Sequence, residues 1–272
     1  MCEALQIPRS TFYYDANIAV QKQQEKAAEE QILKEIVLTI YNENRQVFGT
    51  RKIKNGLSKA GYTVSKRRIG RFMNELGIKS KYAQPSYKPM ITKPNEDVAP
   101  NLLEQDFNID EPMSVLVSDL TYVRVGKQWN YVCFLIDLYN REIVGHSAGK
   151  HKDAALVQHA FTNVKHPLET VKVFHTDRGS EFKNVGIDEL LSQHNIERSL
   201  SNKGNPYDNA VSETTFKIMK TELTNDMHFN TLEQLSLELF DYVNWYNNIR
   251  THSTLGYLSP VTYRNAALKK FV

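Results

Sequence analysis

Residues 171–222 read VKVFHTDRGSEFKNVGIDELLSQHNIERSLSNKGNPYDNAVSETTFKIMKTE. The apolar run Val171 to Phe174 predicts a buried strand, and Asp177 stands just past its end. Glu189 to His194 predicts part of a helix, and Ile196 to Leu200 a short strand. Asn205-Pro206 then opens a second helix, a capping residue followed by proline in the first turn. That helix carries Glu213, and 35 residues separate it from Asp177.

Towards the N-terminus, SVLVSDLTYVRV, WNYVCFLIDLYN and REIVGHSAGK predict three strands, divided at Gly126-Lys127 and at Tyr139-Asn140. Val132 to Ile136 is apolar on both faces, which predicts a central strand covered on both sides. Asp153 to Val164 predicts a helix through Ala154, Ala155, Leu156, Ala160, Phe161 and Val164. A three-strand meander followed by alternating helices and strands predicts a mixed α/β sheet with helices on both faces. Asp119 follows Val115-Leu116-Val117, so a third acid arrives from a separate strand. Acids at strand ends lie where α/β sheets place their sites.

Three carboxylates from two strands and a helix suit two divalent metal ions. Such ions activate a water or a 3′ hydroxyl and stabilise the leaving oxygen of an in-line displacement. Magnesium prefers carboxylate and phosphate oxygens and needs no histidine. Asn209, Lys217 and Lys220 share the Glu213 face at roughly helical spacing, so a cation stands two turns beyond that acid, where a phosphate can meet it. Taken singly, each acid has a plainer reading as a turn or surface residue, and Asp137, Asp153, Glu181 and Asp208 are substitutes. His175 reads as structural, and Tyr207 and Asp208 as residues that shape the loop and helix start. Trp245, Tyr246, Arg250 and His252 form an aromatic and cationic cluster that packs against the core or against DNA.

The formal charge is only +3, but residues 45–88 hold twelve lysines and arginines against Glu75 alone. That segment is therefore +11 and the remainder −8, a split that suggests a polyanion partner. Residues 24 to 43 predict a helix whose stripe is Ile32, Leu33, Ile36, Val37 and Ile40. Gly49 stops the pattern, Thr50 is positioned to cap a second helix with Ile53 and Leu57 inward, and Ser65 to cap a third with Ile69, Phe72, Met73 and Leu76. The third helix carries Lys66, Arg67, Arg68 and Arg71 on its other face. A helix-turn-helix entering the major groove and a three-helix bundle with a charged exterior both fit.

Two cysteines, Cys2 and Cys133, build neither a disulfide framework nor a thiolate zinc site, which suggests a reducing, cytoplasmic setting. No apolar stretch is long enough to span a bilayer. The domain reading is an arm at 1–23, a basic helical DNA-binding domain at 24–82, a proline-containing linker at 83–112, a catalytic core at 113–225 and a C-terminal helix and tail at 226–272. Residues 1–17 read as a fragment that packs elsewhere or as the tail of a unit encoded upstream. The linker is an inert tether or, through KSKYAQPSYKP, an arm along nucleic acid.

VSDLTYV, HTDRGSEF, NKGNPYDNAVSETTFKIMKTE and YNNIRTHSTLGYLSP together resemble the DDE transposases of bacterial insertion sequences, specifically the second-frame product of the IS-three family. FGTRKI and VSKRRIGRFMNELGI extend the resemblance to that family's helix-turn-helix segment. It implies a ribonuclease-H-like core related to retroviral integrases, with Asp119, Asp177 and Glu213 as catalytic, metal-binding residues. It also implies Lys220 on transposon-end DNA, Asn209 supporting the helix end, two magnesium ions with manganese as the substitute, and a homo-oligomer on double-stranded end and target DNA. Leu116 stands where the family often has tryptophan, three residues before the first aspartate, and keeps the strand apolar. An upstream recognition module commonly joined by frameshift is expected to lie outside this chain. A DNA-binding regulator with a degenerate core and a water-using hydrolase are the rival readings; three intact acids favour strand transfer over the first, and the basic helices with Lys220 over the second.

Overall fold

The structure, a computed structural model, describes residues 8–10, 19–83, 100–202 and 205–268. Most of the N-terminal arm and of the proline-containing linker lies outside these residues. The chain divides into two compact units, Met1–Gln84 and Pro85–Val272.

The first unit holds α1 (Ala19–Glu43), α2 (Thr50–Lys59) and α3 (Lys66–Glu75). Leu33, Val37 and Tyr41 recur every four residues along α1 and are buried, together with Ile53 and Leu57 of α2 and Ile69, Phe72 and Met73 of α3. Ile32 is the exception to the expected stripe: one position off that row, it is 51% exposed. Thr50 does not cap α2. It is the first helical residue, and Gly49 occupies the cap without a side-chain bond. Ser65 does cap α3, accepting from the Arg68 N–H at 3.2 Å. The Tyr41 hydroxyl donates to the Lys79 carbonyl at 2.7 Å and fixes the exit from α3.

The second unit is built on a five-stranded sheet: β1 (Val115–Val125), β2 (Gln128–Asp137), β3 (Ile143–Gly149), β4 (Val173–Thr176) and β5 (Glu197–Leu200). The order is β3-β2-β1-β4-β5; β1 to β3 form an antiparallel meander, and β4 and β5 run parallel to β1. This is the mixed α/β, ribonuclease-H-like class expected. Strand β4 begins two residues later than the apolar run suggested, because Leu168–Thr170 forms a 3-10 turn that ends on Val171.

Helices α4 (Ala154–Thr162) and α5 (Val185–Gln193) share a core with Leu116, Cys133, Leu135, Phe174 and Phe182. A 3-10 turn, Pro206–Asn209, leads into α6 (Ala210–Met219), and a π-helical segment, Lys220–Thr224, continues it. The C-terminal stretch holds α7 (Leu232–Asn248) and a second helix that the sequence reading missed, α8 (Pro260–Leu268). Asn247 of α7 exchanges two hydrogen bonds with the Ile143 backbone, and Arg264 of α8 pairs with Glu142, so both helices are tied to the sheet at the start of β3.

Candidate active site

Asp119 sits within β1 and Asp177 directly follows β4. Parallel pairing ends at Ser118 opposite Thr176, so the two aspartates occupy the next position on neighbouring strands. Adjacent strands lie about 4.8 Å apart, which sets the two acids side by side. Glu213 comes from the first turn of α6. Three residues on, Phe216 stacks flat on Phe134 of β2 with ring centroids 4.8 Å apart, and this contact holds the helix over the sheet. Replacing Phe216 with alanine would cost about 3–5 kcal/mol by the usual scale for buried phenylalanine.

The electrostatics follow from this crowding. Burial, then the charge of Asp177, with Glu213 and Glu181 adding, pushes the Asp119 carboxyl well above the usual carboxylate range. Burial also raises Asp177, with Glu181 adding, and the Gly179 N–H bond and Lys152 oppose the rise. Burial and Asp177 raise Glu213, which is the most exposed of the three. Three carboxyls that resist ionising together store a demand for positive charge.

Each substitute acid has a defined place. Asp137 accepts the Met113 and Tyr139 N–H groups at 3.0 Å each, and burial pushes its pKa up to about 6. Asp153 caps α4 through the Leu156 N–H. Asp208 is buried and accepts from the Asn202 N–H and from the side chains of Asn101, Gln105 and Asn205, at 2.8–2.9 Å. It thereby gathers the loop that delivers α6. His175 bridges the Ser199 hydroxyl and the Asp208 carbonyl, and burial lowers its pKa, so it ties β4 and β5 to that loop in its neutral form.

Glu181 differs from these. Phe182 packs edge-on against Phe174 and draws the segment after Asp177 inward, leaving Glu181 only 3% exposed. Its Oε1 lies 2.9 Å from the Lys152 ammonium, yet neither carboxylate oxygen has hydrogen-bond geometry to any described group, so the charge is paired but the oxygens are not satisfied. A Cβ at Gly179 would stand 2.3 Å from Oε1, so any other residue there would displace this carboxylate. The sequence offered Glu181 only as a substitute acid within HTDRGSEF, and nothing marked Lys152.

The donor set fits a hard divalent cation. It is all oxygen, its members repel one another, and Glu181 adds two enclosed oxygens with unused lone pairs. As they stand, no three such side chains among the described residues meet closely enough to enclose an ion.

The basic residues divide. Lys220 opens the π-helical segment, half-buried, with its ammonium 4.2 Å from the centre of the Tyr122 ring; burial lowers its pKa and Asp119 opposes the drop. Lys217 is exposed on α6. Asn209 precedes α6 but makes no side-chain cap bond, and its Oδ1 is buried without a hydrogen-bond partner among the described residues. In the first unit Lys66 and Arg67 are exposed. Arg68 and Arg71 instead reach back to Glu29 and Glu30 of α1. Arg250 is not on the surface at all: it pairs with Glu222 at 2.9 Å in the interior, next to His252 and over the Tyr246 ring.

Comparison with known proteins adds the lineage. Integrase core domain families match residues 110–206 and 213–268, and an HTH-like domain family matches residues 27–86. The transposase for insertion sequence element IS904 of Lactococcus lactis is 34% identical over 236 residues, covering 85% of this chain and 93% of that protein. The putative transposase InsK for element IS150 of Escherichia coli is 30% identical over 267 residues, covering 97% and 92%. The transposase InsF for insertion sequence IS3A of the same organism is 30% identical over 278 residues, covering 98% and 94%. Among solved structures, the HTLV-2 integrase catalytic core domain in complex with magnesium superposes with a TM-score of 0.45 at 15% identity, over 56% of this chain and 96% of that one.

Proposed function

This chain belongs to the IS-three family of bacterial insertion-sequence transposases, and we propose that it cuts and joins DNA strands at the element ends through Asp119, Asp177 and Glu213. The observation that carries this reading is that Asp119 and Asp177 take the next position on neighbouring strands, with Glu213 in the first turn of α6 near enough for its charge to raise Asp119. Their chemistry suits two magnesium ions, with manganese as a substitute, held by these three residues. When bound, such ions activate the attacking oxygen and stabilise the leaving one.

The chain's own residues do the rest. Asp208 and the Phe134–Phe216 stack fix where α6 presents Glu213. Lys220, whose charge interacts with that of Asp119, holds a phosphate of the strand being cut in this reading. Lys217 is a second phosphate contact, and Asn209 offers its unsatisfied oxygen beside the helix start. In the basic helical domain, Lys66 and Arg67 lead as duplex contacts, while Arg68 and Arg71 reach phosphate only by exchanging their glutamate partners. Such exposed pairs are worth about 1 kcal/mol or less, so phosphate competes readily. The protein works in the cytoplasm, as a homo-oligomer on double-stranded end and target DNA.

A joining assay tests this: a labelled element end, plasmid target and magnesium. Asp119→Asn, Asp177→Asn and Glu213→Gln should each abolish joined product while end binding stays within about 2-fold, since the charge change is small and local. Full joining by any one of them would remove that residue from the site.

A further inference from the structure

The end of the β1–β2 hairpin carries a ladder of rings and cations of which the joining chemistry uses only Lys220. Lys220 stands over the Tyr122 ring at 4.2 Å. Tyr122 meets Trp129 edge to face, with centroids 5.1 Å apart at 86°. Arg124, directly opposite Trp129 across the hairpin, lies over the indole at 5.9 Å and also donates to the Gly126 carbonyl. Trp129 is 55% exposed, an unusual state for a residue of its size. The tip is held firmly: the Gly126 N–H donates to the Phe229 carbonyl at 2.7 Å, and Val125 pairs with Phe229. Residues 120–131, LTYVRVGKQWNY, contain Arg124 and Lys127 and no acid.

We propose that this ladder, Lys220–Tyr122–Trp129–Arg124, is a platform for the unpaired end of a DNA strand leading away from the catalytic acids. Tyr122 and Arg124 stand about 10 and about 17 Å along the strand from Asp119, at odd offsets that set their side chains on the other face of the sheet, and Lys220, which interacts with the charge of Asp119, joins the platform to that acid. An exposed indole offers a face on which one unstacked base lies, and the flanking cations meet its phosphates. Duplex interior bases have no free face, so the platform selects frayed or cleaved ends over intact helix. A purely structural role as a cross-strand Arg–Trp pair would leave no such preference. The inference rests on the proposed strand chemistry, since it places the ladder on the strand that Lys220 holds.

The full chain tests it, first as it stands and then with Trp129 replaced. It has two tryptophans, and Trp245 is buried at 5% exposure, so ligand-dependent emission reports Trp129. A labelled duplex with three unpaired thymidines at one end and the same duplex with a blunt end are titrated, with binding followed by label anisotropy. The forked end should quench emission and the blunt end should not. Trp129→Ala should weaken the forked end about 5- to 100-fold and the blunt end by less than about 2-fold, and Trp129→Phe should restore most of the difference. Anisotropy that saturates with unchanged emission, or a Trp129→Ala protein that keeps its preference for the forked end, overturns the ladder and leaves the catalytic assignment standing. A chain that binds neither duplex overturns both.

Discussion

The Glu181 carboxylate and the Lys152 ammonium meet at 2.9 Å beside Asp119 and Asp177, with Glu181 enclosed and Lys152 partly open to solvent. Burial works against the lysine's charge, but Glu181, then Asp177 and Asp119, hold its pKa above the usual lysine value. The pair thus brings one fixed cation next to Asp119 and Asp177.

Lys152→Met leaves Glu181 enclosed without its counter-charge. Removing one partner of a buried pair costs about 3–5 kcal/mol; the partial exposure of Lys152 brings the expectation down to about 1–3 kcal/mol. Thermal melting should show that loss without magnesium and a larger magnesium-dependent recovery than in the parent protein. Equal melting of the two proteins without magnesium would show that Lys152 does not hold the site together.

Asp208→Ala removes the acceptor of four hydrogen bonds and leaves a backbone N–H and three amide side chains to find new partners. Burial would raise this carboxyl, but those donors hold it below the usual range, so it acts as an anion. Denaturant unfolding should show a loss of about 3 kcal/mol, and joining should drop at least about 10-fold because the loop no longer sets Glu213. Unchanged joining in a folded Asp208→Ala protein would contradict this positioning role.

The strands and their order of appearance were legible because β1 and β2 alternate or run apolar for ten residues or more, and the place of Asp177 because it follows a buried run. What stayed hidden depends on contacts far apart in sequence. The cluster holding Arg250 read as packing against the core or against DNA, and only the fold settles it on the core, because nothing local announces Glu222, twenty-eight residues earlier. Arg68 and Arg71 read as a free basic face because their partners lie on α1. Helix α8 was missed although Ser259-Pro260 is a start signal, and the π-helical segment has no sequence mark at all.

Arg250→Ala should destabilise the second unit by about 3–5 kcal/mol, leaving Glu222 and the Tyr242 hydroxyl that donates to it in the interior. The double variant with Glu222→Ala should lose less than the sum of the two single losses, measured by denaturant unfolding. Strict additivity would show that the pair is not coupled.

His146 packs against Phe240, and burial, with His159 and Lys165 adding, lowers its pKa to about 4. The unfolded chain takes up that proton near pH 6.5 and the folded one only near 4, so its contribution is present above 6.5 and is lost as pH falls through 4. The full span is about 3 kcal/mol. His146→Leu should flatten the acid side of the stability curve by about that amount between pH 6.5 and 4. Parallel curves for the two proteins would contradict the buried, neutral state of this ring.

The central claim is that Asp119, Asp177 and Glu213 form one site for two metal ions. An anomalous-scattering map from a crystal of the DNA-bound protein grown in manganese measures this directly. The account predicts two peaks about 3.5–4 Å apart, together contacted by oxygens of all three carboxylates. A single peak, or peaks that leave Glu213 out of contact, would contradict it.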